Sequence, residues 1–185
     1  KIQAEDLYFE PGLCYGTRTS NFSVQVMPSK QLFSFEGTAI STQGASVDAW
    51  VLLGLLNSKP VSYWLSLVCA QHKAYNYLQA LPMPNKFDPA LGLYALEGWS
   101  LMRSLNSVEE TSNAFLLPEL LQNRLFGFDR LRTENRLSGI KEAIDVIAFD
   151  LYGLSAEDQE IINRGNDLYR AEDEDSDEDD DGPDE

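Results

Sequence analysis

Residues 49–56, AWVLLGLL, are apolar on every side, which predicts an element buried all round. Its length and the capping candidates Ser46 and Asp48 favour a helix over a strand. The run stops at Asn57-Ser58-Lys59-Pro60. Asn57 suits a helix end, Ser58 can cap a new helix, and Pro60 is tolerated in a first turn, where its missing amide would be unpaired anyway. Val61, Trp64, Leu65 and Val68 then recur at i, i+3, i+4 and i+7, one apolar stripe of a second helix. The rest of the fold has to enclose the first helix and accommodate a tight corner into the second.

What precedes this pair reads as strands and turns. Phe22, Val24 and Val26 alternate with Ser23 and Gln25, a half-buried strand closed by Pro28. Leu32, Phe33 and Phe35 follow a polar turn and are expected to be its hairpin partner. Gly12, Gly16, Gly37 and Gly44 are expected at positions with unusual backbone angles. Residues 75–84, YNYLQALPMP, read as a short strand blocked by Pro82 and Pro84, with a domain boundary near 85–89. Beyond it the pattern turns helical. Leu91, Tyr94, Leu101, Met102 and Leu105 share a face, although Gly98 interrupts it. Pro118 opens a helix with Glu119 in its first turn. Ile140, Ile144, Ile147 and Leu151 form a stripe ending at Gly153. Ser155-Ala-Glu-Asp158 has the form of a capping box, and a last helix is expected to about Arg164, with Gly165 just past its end. The fold class is α+β: a small mixed domain over 1–88, a helical extension over 89–170 and an acidic tail over 171–185.

The tail dominates the charge. The chain of 185 residues carries a formal −16, of which residues 171–185 hold 11 acids and no base. Residues 1–88 are neutral and residues 89–170 carry −5. A like-charged block with nothing apolar to bury cannot repay its ordering entropy, so the tail is expected to be disordered. It is either a solubilising terminus, which charge runs usually are, or an autoinhibitory strand competing with nucleic acid for a basic groove. With 43% hydrophobic residues the body is expected to form a real core. No apolar run reaches membrane-spanning length, the first residues lack signal-peptide order, and two cysteines, Cys14 and Cys69, read as buried thiols of a reducing cytoplasm. The chain does not begin with Met, which is expected of a fragment.

No sequence pattern announces a reaction. There is no dinucleotide or phosphate loop, no HExxH and no nucleophile elbow. His72 is the lone histidine, and a surface position at a helix end is its plain reading. Glu109-Glu110 reads as a solvated helix start rather than an acid–base pair, which would need a desolvated cleft. Binding is what remains. Arg18, Lys30, Lys59, Lys73 and Lys86 fall at turns or element ends, near Tyr15, Tyr63, Tyr75, Asn76 and Tyr77. Basic side chains can hold phosphates, and Asn or aromatic side chains can read or stack on bases.

The ordered stretches EPGLCYGTRTSNFSVQVMPSKQLFSFEGTAI, VLLGLLNSKPVSYWL and YNYLQALPMP together resemble the target-recognition region of gamma-class adenine-specific DNA methyltransferases. Members include type IIG restriction–modification enzymes and the large methyltransferases of BREX and DISARM phage defence. The resemblance rests on Gly12, Leu13 and Arg18, on Lys30 and Phe33, on the Leu56-Asn57-Ser58 box, and on Leu81, Pro82 and Pro84. The later stretches TSNAFLLPELLQ and IDVIAFDLYGLSAEDQEII are similar to the family's helical C-terminal part. The likeness implies a module that docks on duplex DNA and presents an adenine to an upstream catalytic domain. That domain would bind S-adenosylmethionine and hold the flipped base in an Asn-Pro-Pro-Tyr loop. This chain carries neither that loop nor a cofactor loop, so the resemblance gives it specificity and not methyl transfer. It places Arg18 and Lys30 on backbone or guanine edges and Lys59, Lys73, Tyr75 and Asn76 near the groove. Asn57, Ser58, Pro82 and Pro84 read as architecture. The alternative is a non-catalytic module that joins other defence-system subunits, with the tail regulating binding.

Overall fold

The computed structural model describes residues 5–19, 22–34, 37–69 and 73–165. Three strands form one antiparallel sheet in the order β2-β1-β3: β1 (Gly12–Gly16), β2 (Val24–Met27) and β3 (Gly37–Ile40). Six helices follow: α1 (Ala49–Leu56), α2 (Lys59–Val68), α3 (Tyr75–Gln79), α4 (Ala90–Asn106), α5 (Glu119–Phe126) and α6 (Arg130–Tyr152). A seventh, α7, covers 156–165. The mixed α+β class is thus present. No helix among the described residues is long and apolar enough to cross a membrane.

The helix α1 lies at the centre, as its all-round apolarity requires. Asp48 caps it by accepting from the Trp50 and Val51 amides, and Val51, Leu53, Gly54, Leu55 and Leu56 are buried. Burying side chains of this size contributes roughly 1.5–3 kcal/mol each. At the corner Ser58 is fully buried and its hydroxyl donates to the Leu55 carbonyl at 2.6 Å. It is the N-cap residue of α2, its carbonyl accepting from the Ser62 amide at 3.1 Å, while its side chain closes the end of α1. Pro60 sits in the first turn of α2, and Val61 and Leu65 face the core, whereas Val68 is exposed.

One apolar cluster unites Leu13, Tyr15 and Val24 of the sheet with α1, α2, Leu91 and Ala95 of α4, and Ile140, Ile144 and Ala148 of α6. The core thus runs across the 85–89 stretch. Helices α1 and α4 approach until a Cβ on Gly54 would lie 2.8 Å from the Leu91 carbonyl oxygen. Gly92, across the same crossing, faces the Val51 side chain with a virtual Cβ contact of 3.1 Å. Arg130 ties the loop after α4 to α5 and α6. Its guanidinium meets Glu109 at 2.6 Å and Glu119 at 2.7 Å, which holds it firmly protonated.

Three expectations are overturned. Strand β2 pairs with β1, in the register Leu13↔Val26 and Tyr15↔Val24, and not with Leu32 and Phe33; Phe35, expected in the same hairpin arm, lies outside the described residues. Residues 31–34 form no strand, and the preceding turn has Lys30 in left-handed backbone, φ 69°. That turn directs the chain back towards Phe9, whose carbonyl accepts from the Lys30 amide at 2.8 Å. Residues 75–79 are a single helical segment, not a strand. Tyr77 and Leu78, adjacent in sequence, both pack on the core, which a strand would prevent by sending them to opposite faces. Of the four early glycines only Gly44 has a positive φ, 71°; Gly12, Gly16 and Gly37 are strand residues.

The helical half follows the sequence closely. Gly127 and Gly153 end α5 and α6 in left-handed conformation, and Ser155 and Asp158 exchange hydrogen bonds as a capping pair. Gly165, however, is still helical. It is small because its virtual Cβ would lie 2.5 Å from the Tyr63 ring. The acidic tail and His72 lie outside the described residues.

Candidate anion-binding groove

Between the outer edge of β2 and the helices lies a groove of about 990 Å³. Residues 22–26 form one side, the α1–α2 corner the floor, and α4 and α6 the other side. Four basic residues line it: Lys59, Lys73, Arg103 and Lys141. No aspartate or glutamate is among the lining residues. In a chain with a formal −16 this gathers bases in one concavity, where charge of one sign can focus field on an incoming anion.

Each basic residue is placed by its element. Lys59 begins α2; its amide donates to Asp145 Oδ1 at 2.8 Å and its ammonium reaches Asn163 Oδ1 at 2.9 Å and Asp145 Oδ2 at 3.8 Å. Asp145 is itself buried on α6, so this contact fixes the corner against a helix 86 residues away. Arg103 lies over the Trp99 ring, 5.5 Å from its centroid, and Trp99 packs edge-on against Trp50 at 5.6 Å. This stacking orients the guanidinium while leaving Arg103 exposed. Lys141 is exposed on α6. Around these charges stand hydrogen-bonding side chains, Ser62, Ser66, Asn106 and Ser138, and the flat rings of Tyr94 and Trp99. Such a lining can hold an anionic backbone and give an aromatic ring something to stack on.

Of the six residues expected to contact DNA, the groove brings together two, Lys59 and Lys73. Lys73 forms wall rather than contact: it is only 3% exposed, and its ammonium donates to the Thr19 carbonyl. Its amide donates to Thr17 at 2.7 Å, so both groups tie residue 73 to the end of β1. A buried ammonium held this way cannot extend to an external phosphate without exposing that carbonyl. The Lys73 charge is nonetheless felt nearby, partly offsetting the burial that pushes the Cys69 thiol up. Arg18, Lys30, Tyr75 and Asn76 are exposed and lie outside the groove lining. Arg103, Lys141, Tyr94 and Trp99 were not anticipated. Their signal was present on α4, where Tyr94, Gly98, Trp99, Met102, Arg103 and Asn106 share a face at helical spacing.

A second surface stands apart. Helix α5 is turned inside out: its buried residue is Gln122, 8% exposed, while Leu120 is 80% and Phe126 74% exposed. The Gln122 amide donates to the Ser107 hydroxyl at 3.0 Å and carbonyl at 3.2 Å. Leu116, Leu121, Leu125 and Leu131 extend the same exposed apolar character. Such a concentration of exposed leucines is a mark of interaction surfaces.

Compared with known proteins, the chain matches no family model, and no curated protein is similar to it in sequence.

Proposed function

We propose that this chain is the DNA-reading part of a site-specific DNA N6-adenine methyltransferase of a restriction–modification or phage-defence system. The observation that carries the reading is the groove in which exposed Arg103 and Lys141 stand with Lys59 and no acidic residue is among the lining. It adjoins the Leu-Asn-Ser corner and strand β2, the stretches on which the family resemblance rests. Exposed Arg103 and Lys141 would hold phosphates, with Lys59 between them and the corner. Tyr94 and Trp99 offer stacking faces, and the serine and asparagine side chains offer hydrogen bonds to sugar or base edges. S-adenosylmethionine and the chemistry of methyl transfer would belong to an upstream catalytic domain. This sequence carries neither an Asn-Pro-Pro-Tyr loop nor a glycine-rich cofactor loop.

The test is binding of a fluorescent duplex to the chain over a salt series. Each phosphate contact contributes roughly 0.9 to the log–log salt slope. The double variant Arg103→Ala/Lys141→Ala should therefore bind more weakly and lose up to about 2 from that slope. Identical curves for the variant and the native chain would remove the groove from DNA binding.

The exposed face of α5 favours a second reading, a module that joins protein subunits. Among the described residues Leu120 and Phe126 belong to no part of the core, and burying them on a partner is what such side chains do best. Both readings can hold in one molecule: the groove meets DNA while α5 meets protein.

A further inference from the structure

We infer that the acidic run 171–185 docks in the groove of its own chain and excludes nucleic acid from it. This rests on the reading of the groove as a nucleic-acid site and adds its regulation.

Charge supplies the first reason. The run AEDEDSDEDDDGPDE has 11 carboxylates and no base, and the groove presents the exposed Arg103 and Lys141 beside Lys59, whose ammonium is partly compensated by Asp145 at 3.8 Å. A closely spaced row of carboxylates presents to Lys59, Arg103 and Lys141 what a phosphate backbone presents, repeated negative charge on a linear chain.

Position supplies the second. The last described residue, Gly165, packs against Tyr63 of α2, and two residues earlier Asn163 accepts from the Lys59 ammonium at 2.9 Å. Lys59 is itself a groove residue. The chain therefore leaves α7 beside the groove and not on the opposite side of the molecule. Residues 166–170 alone can span up to roughly 17 Å when extended, so the first carboxylates reach the groove without strain. A short tether raises the local concentration of the run to the millimolar range. Weak ionic contacts then suffice for occupancy.

The run has no large apolar side chain, so its hold on the groove is almost wholly ionic and screened by salt. Exclusion is thus a low-salt effect, and a DNA site bound more strongly than the tail displaces it. A cognate sequence would do so more readily than random DNA, which makes the tail a filter against non-specific binding.

The test uses the full chain in two forms, native and with the 11 tail carboxylates replaced by their amides. A fluorescent peptide of residues 171–185 is titrated with each, and a fluorescent duplex is titrated in parallel. The peptide should bind the neutralised form roughly tenfold or more tightly than the native form, whose own tail competes. Salt should weaken that binding, and Arg103→Glu/Lys141→Glu in the neutralised form should abolish it. Both sites are exposed, and a thermal melt of the variant confirms its fold. Equal peptide binding to native and neutralised chains, or binding that survives groove charge reversal, overturns the inference. The duplex separates the two claims. Tail-dependent peptide binding with no DNA binding by either form supports the intramolecular contact and removes nucleic acid as what it excludes. Equal DNA binding by both forms with no peptide binding leaves the DNA reading in place and ends the inference.

Discussion

The Asn57 side chain donates from Nδ2 to the Val24 carbonyl and accepts from the Val24 amide at Oδ1, both at 3.0 Å. The same Nδ2 donates to the Leu53 carbonyl at 2.9 Å. One amide thus serves as the end of helix α1 and as the missing neighbour of edge strand β2. The asparagine of the Leu-Asn-Ser box is architecture, and its task is to hold the strand side of the groove against the helical floor.

Replacing Asn57 by Ala leaves Val24 with an amide and a carbonyl unpaired. The expected cost is about 2–3 kcal/mol, read as a lower denaturation midpoint in urea. Asn57→Asp keeps the acceptor but opposes two carbonyls with a carboxylate, so it should rescue little. A full rescue by Asp would show that the Val24 amide bond alone matters.

Asp145 is buried on α6 and accepts the Lys59 amide. Asp145→Ala should destabilise by about 2–4 kcal/mol, a range reduced for the partly exposed Lys59 ammonium. Asp145→Asn retains an acceptor for the amide and should cost less. Equal midpoints for the two variants would mean that charge, not the hydrogen bond to the corner, is the main contribution.

Two helical glycines should respond oppositely to alanine. At Gly54 the new methyl meets a backbone oxygen at 2.8 Å, and overpacking against backbone costs roughly 1–3 kcal/mol. At Gly98 the nearest atom is Ile140 Cγ2 at 3.6 Å, ordinary contact. Gly98→Ala should therefore stabilise by about 0.5–1 kcal/mol through helix propensity. Thermal melts of the two single variants decide it.

Burial raises the Tyr152 phenol to about 12, and its hydroxyl donates to the Pro82 carbonyl at 3.0 Å. The unfolded chain loses this proton near pH 10, so between pH 10 and 12 it binds fewer protons than the folded chain. Stability from this group is complete below pH 10 and declines as pH rises through 12. Burial also raises the Tyr15 phenol, so an ultraviolet titration should show late phenols, of which Tyr152→Phe removes one.

On α5 the usual expectations reverse. Leu120→Ser and Phe126→Ser should change stability by no more than about 0.5 kcal/mol, while Gln122→Ala should cost about 1–2 kcal/mol. Denaturant midpoints of the three variants test this; a large loss at Leu120 would place it in a core.

Legibility divided along local and long-range lines. The corner, the start of α5, the end of α6 and the Ser155 capping pair depend on residues within a few positions of one another, and each was readable; the end of α5 at Gly127 was not anticipated. Which strand pairs with β2 is not settled by sequence distance, because β1 before it and residues 32–35 after it are similarly near, and the alternation at 22–26 says only that some neighbour exists. YNYLQ misled because Tyr75 and Tyr77 alternate with polar residues over too short a stretch to separate a strand from one helical turn. The site suffered most. Lys73 and Arg103 are both simply basic in the sequence, and only packing turns one towards a carbonyl and leaves the other over a tryptophan. The groove also lies between stretches read as separate units, so neither half alone could outline it.

The Gly54–Gly92 crossing has a mechanical consequence for whatever occupies the groove. Where α1 and α4 touch almost backbone to backbone, no long side chains remain to reshuffle, and that wall behaves as a fixed jaw. Across Gly98 there is still room between α4 and α6. Any displacement of α6 against that jaw would pull, through Asp145, on the start of α2.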